Sequence, residues 1–110
     1  MNRKLLGEFE ETLMLLIASQ GNESHAVAVQ ESLMENAKRT VNISAIHSTL
    51  YRLEKKGYLT SYLGEASQRR GGKSKRIFKV TASGFNELKT SKDFRSKMWE
   101  TIPQLSFSGL

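Results

Sequence analysis

Arg69-Arg70-Gly71-Gly72-Lys73-Ser74-Lys75-Arg76-Ile77-Phe78-Lys79 decides how this 110-residue chain is read. Six of its 17 lysines and arginines fall in these eleven positions, with no acid among them. The paired glycines allow a sharp turn, and the surrounding bases have no neutralising neighbour. Such a loop is either solvated or pressed against a polyanion, and a nucleic-acid duplex offers regularly spaced phosphates. The residues that follow, Arg76 to Val80, read as a strand, and Tyr58 to Leu63 reads as its antiparallel partner. The basic loop therefore closes a hairpin.

Upstream of the hairpin the spacing predicts a helix over residues 43–56. Ile43, Ile46, Leu50 and Leu53 form one apolar stripe, Asn42 can cap its start, and Gly57 suits its left-handed C-terminal turn. The other side carries Ser44, Ser48, Tyr51, Arg52 and Lys55, while His47 sits about 40° from Ile43 on the helical wheel, partly toward the core. Two further helices precede it. In the first, opened by Leu6-Gly7-Glu8, Phe9, Leu13, Leu16 and Ile17 recur at helical spacing and Met14 and Leu15 widen the face; Gln20-Gly21-Asn22 ends it. The second runs to about Lys38, with Ser24 as its expected N-cap and Ala26, Val29, Leu33, Val27 and Met34 facing inward. Thr81 starts a fourth helix, which Pro103 ends near Thr101.

Three helices, a basic hairpin and a final helix make an α+β chain, mainly α, with the order of a winged helix-turn-helix. Residues 1–80 are expected to form the DNA-binding domain and 81–110 a C-terminal helix and tail. In such a fold the third helix enters the major groove, where each base pair shows a distinct donor and acceptor pattern. Asn42, Ser44, His47, Ser48, Tyr51, Arg52 and Lys55 are the candidates to reach bases or phosphates there. Arg69, Arg70, Lys73, Lys75 and Arg76 of the wing are the candidates to hold phosphates or enter the minor groove. Each set has a plainer explanation, a solvated helix face and a charged surface loop; their adjacency favours DNA.

Charge distribution agrees. The formal net charge is +6, but between Leu5 and Ala37 there are six glutamates and no Lys or Arg, whereas from Lys38 onward 15 lysines and arginines face five acids. That polarity suits binding an anion through one face. With no cysteine, disulfides and thiolate metal sites are excluded. No apolar run approaches the ~18–20 residues of a membrane span, and Glu8, Glu10 and Glu11 interrupt any leader, so a cytoplasmic protein is expected.

Enzyme motifs fail on inspection. Gly72-Lys73-Ser74 suggests a phosphate-binding loop, but the glycine that motif needs five residues earlier is Ser67, and a strand follows instead of a helix. His25 and His47 stand 22 apart without an acidic cluster, and no nucleophile elbow is present. Neither catalysis nor a cofactor is expected.

The order and the residues resemble the PadR-like family of bacterial transcriptional regulators. The resemblance is carried by Leu6-Gly-Glu-Phe-Glu-Glu11, by Val41 through Leu59, by Gly64 through Arg76, and by Phe78-Lys-Val-Thr-Ala-Ser-Gly84. It implies a winged helix-turn-helix, a homodimer through the C-terminal helix and repressor-type binding to double-stranded DNA at an inverted repeat. Phe94, Met98, Trp99 and Ile102 would lie in the dimer interface, which in some related regulators doubles as a pocket for a small hydrophobic effector. Two departures stand out: His25-Ala26 where the family usually has Tyr-Gly, and His47 where it commonly has Tyr. The chain also ends soon after the fourth helix, like the shorter subgroup that lacks a separate C-terminal domain. The alternative is a protein-interaction module docking a partner on its acidic first and apolar fourth helices, with an incidental basic loop. Structured-RNA binding is a weaker alternative, because no aromatic stacking sheet is apparent.

Overall fold

The structure, a computed structural model, describes residues 5–64 and 74–103. Its elements are α1 (Glu8–Ser19), α2 (Ala26–Ala37), α3 (Ile43–Lys55), β1 (Leu59–Leu63), β2 (Arg76–Val80) and α4 (Ala82–Glu100). The strands pair antiparallel, Leu59 opposite Val80 and Leu63 opposite Arg76. Helices α1, α2 and α3 close on one core of Leu13, Met14, Ile17, Val29, Leu33, Ile46, Leu50 and Leu53, which Leu59 and Phe78 of the hairpin complete.

The local choices follow from named residues. Asn42 caps α3, its side-chain oxygen accepting the Ala45 N–H at 2.9 Å. Lys56 ends that helix and Gly57 turns the chain at φ +86°, a region where a side chain is strained. Thr81 caps α4 by accepting from the Gly84 N–H at 3.0 Å. The Asn22 side-chain amide pairs with Val80 as a short strand would, donating to its carbonyl at 3.2 Å and accepting its N–H at 2.8 Å. Ser24 and Phe78 exchange both backbone hydrogen bonds, at 3.1 and 2.7 Å, so the chain before α2 is laid along the outer edge of β2.

Three expectations need correction. Ser24 does not cap α2: its backbone is committed to Phe78, and His25 caps instead, with its ring Nδ1 accepting the Ala28 N–H at 3.2 Å. Val27 and Met34 do not face inward but are exposed, because the inward stripe of α2 is the narrower set Ala26, Val29 and Leu33. Leu15, placed on the widened face of α1, is likewise exposed on the side turned toward α4.

Helix α4 is only half supported. Its buried residues, Gly84, Glu87, Leu88 and Ser91, all lie in its first half, and no residue from Lys92 to Glu100 is buried. Gly84 lets the helix approach closely: a Cβ there would sit 2.3 Å from the Tyr58 carbonyl oxygen and 2.8 Å from Val80. Among the described residues, no helix is long and apolar enough to cross a membrane.

Candidate nucleic-acid interface

The stripe of α3 decides which of its residues face outward. Ile46, Leu50 and Leu53 are fully buried, and Thr49 joins them. This leaves Asn42, Ser44, Ser48, Tyr51, Arg52 and Lys55 exposed and His47 half-buried. The exposed set is not uniformly available. Ser44 Oγ donates to Asn42 Oδ1 at 2.7 Å, so both side chains take part in the cap. His47 stacks on Tyr51, ring centroids 6.0 Å apart, and Tyr51 forms a T-shaped pair with buried Phe78, centroids 5.8 Å apart. This aromatic series anchors the outer face of α3 to the hairpin.

Arg52 has a partner not legible in the sequence. Its Nε lies 3.4 Å from Glu10 Oε2 in α1, and Lys56 Nζ lies 3.0 Å from the same oxygen. The arginine side chain is still half exposed, so its outer nitrogens remain accessible. Arg76 is also committed, its Nη1 donating to Ser61 Oγ at 3.0 Å, while Ser61 donates to Glu54. Lys75 reaches back to α2, its Nζ 2.8 Å from His25 Nε2. Arg69, Arg70 and Lys73 lie outside the described residues.

The structure thus brings the α3 face, the base of the hairpin and the start of α2 to one side of the molecule. A cleft of about 240 Å³ marks their junction, lined by His25, Ala26, Val27, His47, Ser74, Lys75 and Arg76. His25 is the neighbour that sequence reasoning missed. Its position directly before the apolar run of α2 was a signal for a cap, but only the pairing of Ser24 with Phe78 brings it beside the hairpin.

Phe94, Met98, Trp99 and Ile102 come together with Arg95 around a shallow cleft on α4. Phe94, Met98 and Trp99 are 46%, 42% and 62% exposed, high values for large apolar side chains set in one row. A second, more apolar groove runs between α1 and α4, lined by Leu15, Ala18, Phe85, Leu88 and Trp99 among others.

The family model of the transcriptional regulator PadR-like family matches residues 13–90, most of the chain and all of the core just described. The chain belongs to the PadR-like family of transcriptional regulators. Solved structures agree on the fold. A PadR-like transcription factor from Bacteroides fragilis superposes with a TM-score of 0.74 at 24% identity, covering 84% of each chain. A PadR family transcription regulator from Clostridium difficile R20291 gives 0.72 at 14% identity over 90% of this chain and 98% of that one. F93 from STIV, a winged-helix DNA-binding protein, gives 0.68 at 12% identity over 86% and 95%. No curated protein matches. The fold is therefore a winged helix-turn-helix, with α2 and α3 as the helix-turn-helix and β1–β2 as the wing. PadR-like proteins regulate transcription, which places this chain among regulators and not among enzymes.

Proposed function

We propose that the protein is a homodimeric repressor that binds an inverted-repeat operator in double-stranded DNA. Residues 1–80 act as the DNA-binding domain and residues 81–110 as the dimerisation segment. Helix α3 lies in the major groove, with His47, Ser48, Tyr51 and Arg52 toward base edges or phosphates. Asn42, Ser44 and Lys55 contact the backbone at the two ends of the helix. Residues 64–76, with Arg69, Arg70, Lys73, Lys75 and Arg76, follow the adjacent phosphates.

The observation that carries this reading is a meeting of two features: His47 of α3 and Lys75 and Arg76 at the base of the hairpin line one cleft. An ordinary solvated helix has no need of a neighbouring stretch with six bases and no acid.

The dimer is supported by α4. Its second half projects without burial in the protomer, and isolated short helices are marginal in water. A second copy packing on Phe94, Met98, Trp99 and Ile102 would cover the exposed row. The same apolar face suits a small hydrophobic effector, whose binding would alter the angle between the two α3 helices.

Footprinting on the promoter region of its own gene tests the proposal. Two protected half-sites related by inversion, with centres about 10 bp apart or a multiple of that spacing, are expected. A single unpaired footprint would contradict the dimeric operator complex.

A further inference from the structure

A chain of polar side chains joins the hairpin to α3 on an otherwise apolar face. In β1 the side chains of Leu59, Ser61 and Leu63 alternate to one face, opposite Val80, Phe78 and Arg76 of β2. Leu59, Val80 and Phe78 are buried there, whereas Ser61 is half-buried. Ser61 Oγ donates to a carboxylate oxygen of Glu54, in the last turn of α3, and accepts from Arg76 Nη1 at 3.0 Å. The backbone carbonyl of Glu54 accepts the Gly57 N–H at 2.9 Å, so the turn from helix to hairpin fixes this residue as well. A carboxylate only accepts hydrogen bonds and a guanidinium only donates them. A hydroxyl does both, so Ser61 relays between the two with every donor facing an acceptor. Its bond to the carboxylate also makes Oγ a better acceptor for the arginine.

We propose that Glu54 and Ser61 are positioning residues that hold the Arg76 guanidinium ready for a DNA phosphate at a fixed offset from α3. This deepens the proposed function and rests on it. Arg76 lines the cleft where the base of the hairpin meets His47 of α3. Its guanidinium is a rigid planar fork with more donors than the one Ser61 takes, so a phosphate oxygen can be gripped while the relay stays in place. A long side chain fixed before binding loses less freedom when it meets DNA, which raises affinity without adding a contact. Because Glu54 belongs to α3, the relay also sets the phosphate held by the hairpin in register with the bases facing that helix. An acid near a phosphate would otherwise weaken binding; hydrogen-bonded to Ser61, this one orients the arginine.

The test compares Ser61→Thr with Ser61→Val, each alone and in an Arg76→Gln background. Threonine and valine both favour a strand and differ by a hydroxyl against a methyl group, so a general effect on the hairpin appears in both. Anisotropy of the full chain on a duplex from its own promoter region, over a salt series, reads the affinity and the phosphate contacts together. Ser61→Thr should bind like the wild type. Ser61→Val should bind about twofold to tenfold more weakly, the range for immobilising one long side chain, with the salt slope unchanged. Arg76→Gln should weaken binding and make the slope shallower by about 0.9, one phosphate contact. Adding Ser61→Val to Arg76→Gln should then cost nothing further, because the side chain it positions is gone. Wild-type affinity in Ser61→Val, an equal loss in Ser61→Thr, or the same fold loss with and without Arg76 would overturn the proposal while leaving DNA binding intact. Absence of salt-dependent duplex binding by the wild type would refute the DNA-binding function, and this positioning role with it.

Discussion

The Glu10 carboxylate in α1 accepts a 3.0 Å hydrogen bond from Lys56, the residue that ends α3. The same oxygen meets Arg52 at 3.4 Å, and the other oxygen accepts the Gly7 N–H at 3.2 Å. Next to it in sequence, Glu11 pairs with Arg95 of α4 at 3.3 Å. Adjacent carboxylates therefore tie α3 and α4 to one helix, and the acidic first segment acts as a brace between the proposed DNA-reading and dimerising parts.

Replacing Glu10 by Gln should lower stability by about 1 kcal/mol, since its partners are half exposed and solvent screens them. Burial pushes the Glu10 carboxyl pKa up, but hydrogen bonds from Lys56, Gly7 and Arg52 outweigh it and the net direction is down. A depressed carboxylate stabilises the fold above its usual value of 4.5, and that contribution disappears as pH falls through the lower folded value. Denaturant midpoints of the two proteins should differ at pH 7 and converge as pH falls below 4.5 and through the lower folded value. A constant difference across that range would show that the charge of Glu10 is not what matters.

Gly84→Ala should destabilise, although alanine ordinarily favours a helix by up to about 1 kcal/mol over glycine. The added methyl carbon would sit 2.3 Å from the Tyr58 carbonyl oxygen, a backbone atom that cannot swing aside. A loss of about 1–3 kcal/mol in chemical denaturation is expected, the usual cost of overpacking. An unchanged or raised midpoint would mean that α4 can shift away from the hairpin freely.

Trp99→Lys should weaken the proposed dimer without unfolding the protomer, because this side chain is 62% exposed within one chain. Sedimentation equilibrium should register a dissociation constant raised about tenfold or more, as for an aromatic anchor at an interface. Unaltered self-association would remove the exposed row of α4 from the interface.

Much of the fold follows from short-range patterns. The stripe Ile46, Leu50 and Leu53, the Asn42 cap, the Gly57 turn and the strand Arg76–Val80 are all local, and the structure has them as the spacing indicates. What was not legible is long-range. Ser24 has the chemistry of an N-cap, and only its pairing with Phe78, far along the chain, removes it from that role. Met34 and Val27 continue an apolar run, yet both side chains are exposed, so the run does not become a buried face. Arg52 reads as a free base on a polar face until α1 brings Glu10 beside it. The candidate interface was legible as a helix face and a basic loop, while its third wall at His25 depends on the topology.

In the proposed function the α3 face and the basic hairpin bind operator DNA together. The most direct test is anisotropy of the protein on its promoter duplex and on a scrambled duplex over a salt series, beside a variant with Arg69, Arg70 and Lys73 replaced by alanine. Tighter binding to the promoter, a log–log salt slope of about −0.9 per phosphate contact, and a shallower slope with weaker binding in the variant are predicted. Equal affinity for both duplexes, or affinity indifferent to salt and to the loss of the three bases, would contradict joint binding by α3 and the hairpin.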